Sequence, residues 1–281
     1  MDAHHADLLD RLERFYDAVP RDAARAEEHG SCVLFVRKGN GWPFYARPRR
    51  DADRPPSLAD LTAVRARQRE LGLPEALEWV HEVNPELLAV ARSAGLAVLE
   101  APLLVLDPTA LAEPTAFTDV PVRLLTASAP TTAADVAARR AVAAIGFAAP
   151  GTGRGEAGPT QRDAALRGLD VAALDDEQAA IADGSRLAAL AETPDEGAVA
   201  SGMAMRVGDV AEIAGVATLP SARRRGLAAA VTATLARALL ADGVEIVFLS
   251  AGSDEIARVY LRTGFRRIGT ACIAEPPTLH P

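Results

Sequence analysis

The residues that first point to chemistry are three consecutive arginines followed by a glycine. Arg223–Arg225 precede Gly226, where a predicted strand (210–218) leads into a predicted helix (222–241). Cations are unfavourable in the first turn of a helix, because the helix dipole already places about half a positive charge there. An anion bound to the free amides of that turn would relieve the conflict, and glycine would allow its close approach. The run therefore predicts a phosphate site, with a plain surface helix in an arginine-rich chain as the alternative.

The sequence around this run resembles the GNAT superfamily of N-acetyltransferases. Their signature, Q/R-x-x-G-x-G/A at a strand-to-helix junction, is matched by Arg223-x-x-Gly226-x-Ala228. Their second element, a helix with a tyrosine shortly before Gly-Phe, is matched by Asp254-x-x-Ala257-x-x-Tyr260 and Gly264-Phe265. The resemblance covers roughly residues 120–275. Because the two motifs occur in the family's order, they predict its fold and its activity.

The resemblance implies a binding site for coenzyme A in the second half of the chain. Backbone amides of the arginine run would hold the pyrophosphate, and the edge of the preceding strand would pair with the pantetheine arm. The residues that this assigns to the cofactor are Val216, Ala217, Thr218, Arg223, Arg224, Arg225, Gly226, Leu227, Ala228 and Asp254. Asp254 departs from the family, in which asparagine is common. Its carboxylate would cap the helix well but would face an anionic cofactor less favourably.

Two further residues match the catalytic groups of the family. Glu212 has the spacing of the general base in the histone-acetyltransferase branch, and Tyr260 matches the tyrosine that protonates or hydrogen-bonds the departing sulfur. A base is useful because deprotonating an amine with a pKa near 10 costs about 4 kcal/mol at pH 7. Strand alternation predicts that Glu212 shares a face with Val216 and Thr218. Gly215 would permit a bulge or splay of the strand, with a packing glycine as the alternative. A solvated carboxylate and a core tyrosine are the alternatives.

A pattern of strand, helix and glycine in the first half recurs in the second half. The corresponding stretches are 76–82, 85–94 and Gly95-Leu96 in the first half, and 245–250, 254–263 and Gly264-Phe265 in the second. A constant offset relates the two sets, which predicts a duplication; shared βαβ physics is the alternative.

The first copy has lost the residues of the site. The same offset places Arg54-Pro55-Pro56-Ser57 opposite the arginine run and Ala91 opposite Tyr260. Prolines have no N–H to donate to a phosphate. We therefore expect a degenerate first copy that does not bind coenzyme A. Its aromatic residues either line an acceptor pocket or belong to the core: Trp42, Phe44, Tyr45 and Trp79.

Periodicity and turn residues predict an α/β fold with two GNAT-like domains in tandem, each with helices flanking a central mixed, mostly antiparallel sheet. The predicted domains are 1–107 and 121–281, joined by a linker at 108–120. Further predicted helices are 6–19, 57–71, 132–145 and 161–181, and further strands are 32–36, 42–46, 98–106, 122–125, 186–192, 198–207 and 267–274. Lys38-Gly39-Asn40-Gly41 predicts a hairpin turn, and 149–160 a mobile loop.

Composition excludes several classes of protein. The chain has 281 residues, 49% of them hydrophobic, and a net charge of −8, whereas a nucleic-acid surface shows basic stripes. No apolar run approaches the roughly 20 residues that span a bilayer, and the N-terminus lacks a signal-peptide core. We therefore expect a cytoplasmic protein without nucleic-acid or membrane partners. Cys32 and Cys272 predict buried thiols, with no metal site.

The expected activity is acetyl transfer from acetyl-CoA, as co-substrate, to a primary amine in a direct ternary complex. The acceptor is a small-molecule or peptide amine, and the acidic chain mildly favours a cationic one. A homodimer is compatible with this reading. The alternative is a coenzyme A sensor or structural module without turnover.

Overall fold

The structure is a computed structural model that describes residues 3–39 and 43–277. Its helices are α1 (Ala3–Ala18), α2 (Leu58–Glu70), α3 (Leu87–Ser93), α4 (Thr132–Ala148), α5 (Pro159–Ala165), α6 (Val171–Ala182), α7 (Leu227–Ala241) and α8 (Asp254–Leu261). Its strands are β1 (Ala24–His29), β2 (Cys32–Arg37), β3 (Ala46–Pro48), β4 (Leu77–Val80), β5 (Ala97–Leu106), β6 (Val122–Leu124), β7 (Arg186–Thr193), β8 (Gly197–Val207), β9 (Val210–Thr218), β10 (Ile246–Ser250) and β11 (Phe265–Glu275).

The described strands form one mixed sheet in the order β1-β2-β3-β4-β11-β5-β10-β9-β8-β7-β6. Neighbours run antiparallel in β1–β2, β2–β3, β4–β11, β6–β7, β7–β8 and β8–β9, and parallel in β3–β4 and β9–β10. The predicted α/β class, with a large mixed sheet flanked by helices, is confirmed.

The chain divides into two compact units. Unit 1 contains Met1–Leu103 together with Ile268–Pro281, and unit 2 contains Leu104–Arg267. These bounds differ from the predicted domains, because the end of β11 packs within unit 1 and the predicted linker belongs to unit 2. Strands β5 and β11 each contribute residues to both units.

Unit 1 encloses a core of apolar side chains from β2, α2, β4 and β11. Trp79, on β4, is 1% exposed within it, so this aromatic belongs to the core. Cys32 and Cys272 are buried free thiols there, and burial raises the pKa of each to about 12. Ser57 caps α2, and its side chain accepts from the amide of Asp60.

The first strands of unit 1 differ in part from the prediction. Strand β1 was not predicted, because its sequence, Ala-Arg-Ala-Glu-Glu-His, is polar and lacks apolar alternation; it pairs at the edge with β2. Of the predicted hairpin, Asn40, Gly41 and Trp42 lie outside the described residues. The strand that follows, β3, pairs with β2 in antiparallel fashion.

Unit 2 has a central antiparallel sheet covered on both faces. Helix α4 packs against β8 and β9 from one face, and α7 packs against the same strands from the other. The large core is rich in alanine, valine and leucine, and α7 contributes to it a stripe of residues at i, i+4 spacing: Leu227, Val231, Leu235 and Leu239.

Three elements of unit 2 differ from prediction. The long helix expected at 161–181 is two helices, α5 and α6, separated near Gly168 and capped afresh by Asp170. The segment 108–120 is ordered by short 3₁₀ turns, Pro108–Ala110 and Pro114–Ala116. Helix α7 begins five residues later than expected, at Leu227.

None of the helices among the described residues is long and apolar enough to cross a membrane.

Candidate active site

The strands β9 and β10 separate at the centre of unit 2. Their parallel register joins Val210 to Ile246, Ala211 to Val247 and Glu212 to Phe248, and it extends no further in the described chain. Strand β9 then continues to Thr218 with only β8 as a partner. Helices α7 and α8 follow β9 and β10, so both helices begin at the edge where the parallel strands end. The divergence leaves one edge of β9 open beside two helix N-termini.

A bulge deforms β9 at the point of separation. Ser201 pairs with Ala217 and Met203 pairs with Ala214, so two residues of β9 lie opposite Gly202 alone. Gly215 has a φ of +61°, which most side chains disfavour. The predicted bulge at Gly215 is confirmed.

The bulge changes which face of the sheet the residues at the end of β9 occupy. Glu212, Ala214 and Ala217 lie opposite Met205, Met203 and Ser201, which share one face of β8; Ser201 Oγ donates to the Arg139 carbonyl of α4 at 3.2 Å. This face is therefore covered by α4.

Val216 and Thr218 lie on the opposite face from Glu212. A Cβ added to Gly202 would lie 3.2 Å from Val216 Cγ2 and 2.7 Å from Val231 Cγ1 of α7, while Thr218 pairs with Ala200. The prediction that Glu212 shares their face is wrong, because alternation was counted without the extra residue of the bulge.

The three arginines lie in the turn before α7 and not in its first turn, which corrects the predicted helix start. Arg223 is structural: its guanidinium donates to the carbonyls of Gly146 at 2.9 Å and Gly153 at 3.1 Å. Arg225 forms a salt bridge with Glu196 at 2.9 Å. Arg224 is exposed, and its side chain has no hydrogen bond or salt bridge among the described residues. Only one of the three is thus available to a ligand.

The backbone of this turn has the conformation of an anion site. Arg224 has a φ of +66°, and it is the only non-glycine residue with a positive φ in the part of the chain that the structure describes. Gly226, the N-cap, is also left-handed, with φ +77°. Within the described residues, the amides of residues 224–229 donate to no acceptor. Such strained, donor-rich turns form concave anion sites before helices.

Gly226 is needed for a reason that the sequence did not indicate. A Cβ at this position would lie 2.0 Å from the carbonyl oxygen of Phe117. The segment 108–120 therefore occupies the space that a side chain at position 226 would need. This contact, and not the proposed close approach of a phosphate, excludes a side chain there. Gly264 is similar, because its Cβ would lie 2.6 Å from the Ala110 carbonyl oxygen.

The predicted mobile loop before α5 is tied to the arginine turn by backbone contacts. Gly155 donates to the carbonyl of Pro220 at 3.1 Å, and Ser221 donates to that of Ala157 at 3.0 Å. Arg154 donates from Nε to the carbonyl of Arg223 at 3.0 Å. These bonds hold the loop beside the turn, which its glycine and proline content did not reveal.

Tyr260 lies on α8 and is 7% exposed. Its ring packs edge-on against Phe265, with 6.3 Å between centroids. Burial raises the pKa of its phenol to about 12, so the hydroxyl keeps its proton at neutral pH. A neutral buried phenol can donate a proton or a hydrogen bond.

Asp254 does not cap α8. The N-cap is Ser253, whose hydroxyl accepts from the amide of Ile256 at 3.2 Å. Asp254 is exposed and forms a salt bridge with Arg267 at 3.2 Å. The expected cap is wrong by one residue, and the preference of serine for N-cap positions could have identified it.

The turn of unit 1 that corresponds to the arginine turn lies at the start of α2, and a carboxylate of the chain itself occupies it. The first residues of α2 and β4 are as far apart in sequence as those of α7 and β10, which supports the predicted duplication. At the start of α2, the Asp60 carboxylate accepts from the Ser57 amide at 2.8 Å and from Arg54 Nη2 at 2.9 Å. Hydrogen bonds from Arg54 hold the pKa of Asp60 well below its usual range, although burial opposes this. Two of the donors that α7 leaves open, the amides of the N-cap and of the third helical residue, are thus occupied in α2.

The geometry of unit 2 fits a coenzyme A thioester. The free amides of residues 224–229 and the side chain of Arg224 suit a pyrophosphate, and the open edge of β9 suits the amide-bearing pantetheine arm. No group of three metal-ligating side chains occurs among the described residues.

Comparison with known proteins agrees with this geometry. A family model described as FR47-like protein matches residues 191–274, which contain β9, α7 and α8. No curated protein matches the chain.

Solved structures resemble the chain over almost its whole length. A GCN5-related N-acetyltransferase from Kribbella flavida has 24% identity and a TM-score of 0.63, covering 94% of this chain and 95% of that one. A GCN5-related N-acetyltransferase-like protein from Streptococcus suis 89/1591 has 14% identity and a TM-score of 0.53, covering 96% and 98%. A tandem GNAT protein from the clavulanic acid biosynthesis pathway has 15% identity and a TM-score of 0.51, covering 89% and 80%. The chain therefore has the fold of the GNAT N-acetyltransferases, as its two sequence motifs predicted.

Proposed function

We propose that this protein transfers an acetyl group from acetyl-CoA to a primary amine, using one site in unit 2. The observation that carries the proposal is the turn at residues 224–229 before α7, beside the open edge of β9. Arg224 is strained there, and the six amides donate to no acceptor among the described residues. A helix that only packs against a sheet has no need of this strain, whereas a phosphate ligand offsets it.

The residues of β9 and α7 would hold the co-substrate. Residues 224–229 would bind the pyrophosphate, and the open edge at Val216, Ala217 and Thr218 would hydrogen-bond the pantetheine arm. The thioester supplies the acyl group. The amine nitrogen attacks the thioester carbonyl carbon, the C–S bond breaks, and the amine gives up one proton while the sulfur gains one.

Two side chains can manage these protons. Glu212, half-buried where β9 and β10 diverge, would accept the proton of the amine, directly or through water. Tyr260 keeps its proton at neutral pH and would donate it, or a hydrogen bond, to the thiolate. A thiol with a pKa near 8.5 is a stronger acid than this phenol, so net proton transfer from Tyr260 to the thiolate is unfavourable. Tyr260 therefore acts best as a hydrogen-bond donor to the sulfur, which takes up its proton from water.

The anion turn can be tested without disturbing the fold. Ala228, half-buried near the start of α7, can be changed to glutamate, which helix N-termini favour. We expect Ala228→Glu to weaken acetyl-CoA binding by about tenfold or more through repulsion of the phosphates, with an unchanged or raised melting temperature. Ala228→Gln is the matched control for size. Equal affinities of the two variants for acetyl-CoA, measured by calorimetry, would exclude the turn as the phosphate site.

The same preparations decide whether the site turns over. Coenzyme A release is followed over a panel of small amines and peptides, with Glu212→Gln and Tyr260→Phe beside the unchanged protein. We expect each variant to lower kcat/KM by about 100-fold while acetyl-CoA still binds. Acetyl-CoA binding without release from any amine would instead support the non-catalytic alternative, a sensor or structural module.

A further inference from the structure

A cavity of about 600 Å³ lies within unit 1. Helix α1 forms one wall, the segment 48–56 after β3 forms a second, and the segment 82–86 after β4 forms a third. Its volume falls within the range of small-molecule sites in proteins. The mechanism proposed for unit 2 makes no use of it.

The position of the cavity in the fold is that of a ligand site. Strands β3 and β4 run parallel, with Ala46 opposite Leu77, and the cavity is lined by the segments that leave their carboxyl ends. Ligands of α/β proteins bind at such ends, between neighbouring parallel strands. In unit 2, β9 and β10 make the corresponding parallel pair. The duplicated unit has thus kept a concave space where its counterpart has the candidate active site.

The arginines that line the cavity are already neutralised. Arg50 pairs with Asp10 at 2.9 Å. Arg54 donates to Asp60 at 2.5 and 2.9 Å, and its partner also fills the N-terminus of α2. The third arginine behaves in the same way: Arg49 pairs with Glu28 at 2.9 Å and with Asp51 at 3.0 Å. Each of these cations is thus paired with at least one carboxylate, and Arg50 shares Asp10 with Arg14.

The carboxylates of the cavity are less well compensated. Glu13, 5% exposed, accepts from the Val80 amide at 3.2 Å and lies 3.6 Å from Arg47. Arg47 also lies 3.4 Å from Glu78, so its charge is divided between two acids. Two more acids of the lining, Asp53 and Glu86, form no salt bridge in the part of the chain that the structure describes.

Apart from Glu82 and Asn84, the remaining lining is apolar. Leu9 and Val83 supply aliphatic surface, and four prolines supply rings without an N–H: Pro48, Pro55, Pro56 and Pro85. A ligand here must carry positive charge for the carboxylates and hydrocarbon for the prolines. A phosphate would meet buried acid and find no free arginine.

We propose that unit 1 binds a small aliphatic amine in this cavity, with its ammonium group donating to Glu13 and its hydrocarbon chain against Leu9 and the prolines. An ammonium group has three donors and suits a site whose acceptors are carboxylate oxygens. The binding is separate from acetyl transfer and does not depend on it. Unit 1 thus has a cation site where unit 2 has its candidate anion site.

The test is calorimetric titration of the full chain with 1,4-diaminobutane, and with 1,4-butanediol as the uncharged analogue. We expect the diamine to bind and the diol not to. Glu13→Gln keeps an acceptor for the Val80 amide but removes the negative charge. We expect it to lower the affinity for the diamine by about tenfold or more. Asp7 is exposed on the same helix, and Asp7→Asn removes the same charge there. This control should leave the affinity for the diamine within about twofold of that of the unchanged protein.

A second variant covers the case in which Glu13→Gln fails to fold. Ala6 is exposed and lines the cavity, so Ala6→Phe should block the diamine and leave the fold intact. The proposal is overturned if the diamine does not bind, if the diol binds equally, or if Asp7→Asn weakens binding as much as Glu13→Gln. It is also overturned if Glu212→Gln abolishes binding while Ala6→Phe does not, because the diamine then occupies unit 2. Loss of acetyl transfer alone leaves these results unchanged.

Discussion

Gly226 meets two separate constraints at one residue. Its φ of +77° is left-handed, and its missing side chain makes room for the carbonyl of Phe117. The first constraint shapes the turn of amides before α7, and the second anchors the segment 108–120 beneath it. The glycine of the proposed phosphate site is therefore also a glycine that packing requires.

The two constraints can be separated by comparison with Gly243. That residue is also left-handed, at φ +81°, but a Cβ there would meet nothing within 4 Å. Gly243→Ala should lower the free energy of unfolding by about 1–2 kcal/mol, the cost of a left-handed alanine. Gly226→Ala should cost about 3 kcal/mol or more, because the contact with Phe117 is added to it. Urea unfolding of both variants measures the difference, and equal losses would mean that the Phe117 carbonyl gives way freely.

At the residue scale, the sequence singles out Gly226 and the arginines before it, but not the contacts that they make. The glycine and the arginines were recognisable because their types conflict with a helix start. The partner of Gly226 was not, because Phe117 is more than a hundred residues earlier in the chain and no local pattern connects them. The left-handed Arg224 was equally hidden, since arginine carries no signal for that conformation.

At the scale of elements, α4 and α6 are joined by buried charge. Glu177, which is fully buried, accepts from Arg139 Nη2 at 2.6 Å and from Arg140 Nη1 at 3.0 Å. The backbone of Arg139 also accepts from Ser201 on β8. These contacts join α4 to α6, and they hold α4 against the face of the sheet that carries Glu212. Periodicity predicted α4 correctly, but it ran α5 and α6 together because the break at 166–170 contains one glycine and no proline to mark it.

Breaking this pair should be costly. Arg139→Met leaves a buried carboxylate with only Arg140 as a partner, and we expect the free energy of unfolding to fall by about 3–5 kcal/mol. The double change Arg139→Met/Glu177→Met should recover a large part of that loss, because no charge is then left buried. Arg267→Met, which breaks the exposed pair with Asp254, should matter far less. A double variant no more stable than Arg139→Met would show that the cost lies in packing and not in charge.

At the scale of the whole molecule, the chain does not divide where its sequence suggests. The proline- and threonine-rich stretch at 108–120 has the composition of a linker, yet its residues contact Gly226 and Gly264 and belong to unit 2. The last strand, β11, begins in unit 2 and ends in unit 1, where Ala274 pairs with Leu77. Composition reports local flexibility, and it cannot report which unit a strand joins, since strand pairing is decided by distant residues.

The division into units predicts which elements a newly buried charge destabilises most. Ala274 is fully buried in the core of unit 1, and Ala236 is fully buried in that of unit 2. An unpaired buried carboxylate is strongly destabilising, so Ala274→Asp should speed hydrogen exchange most in β2, α2 and β4. Ala236→Asp should act most on β7 and β8. Peptide-resolved exchange at equal pH and temperature makes the comparison. If Ala274→Asp instead loosened β7 and β8 first, residues 268–275 would belong energetically to the domain predicted at 121–281, and the unit boundary at Arg267 would be wrong.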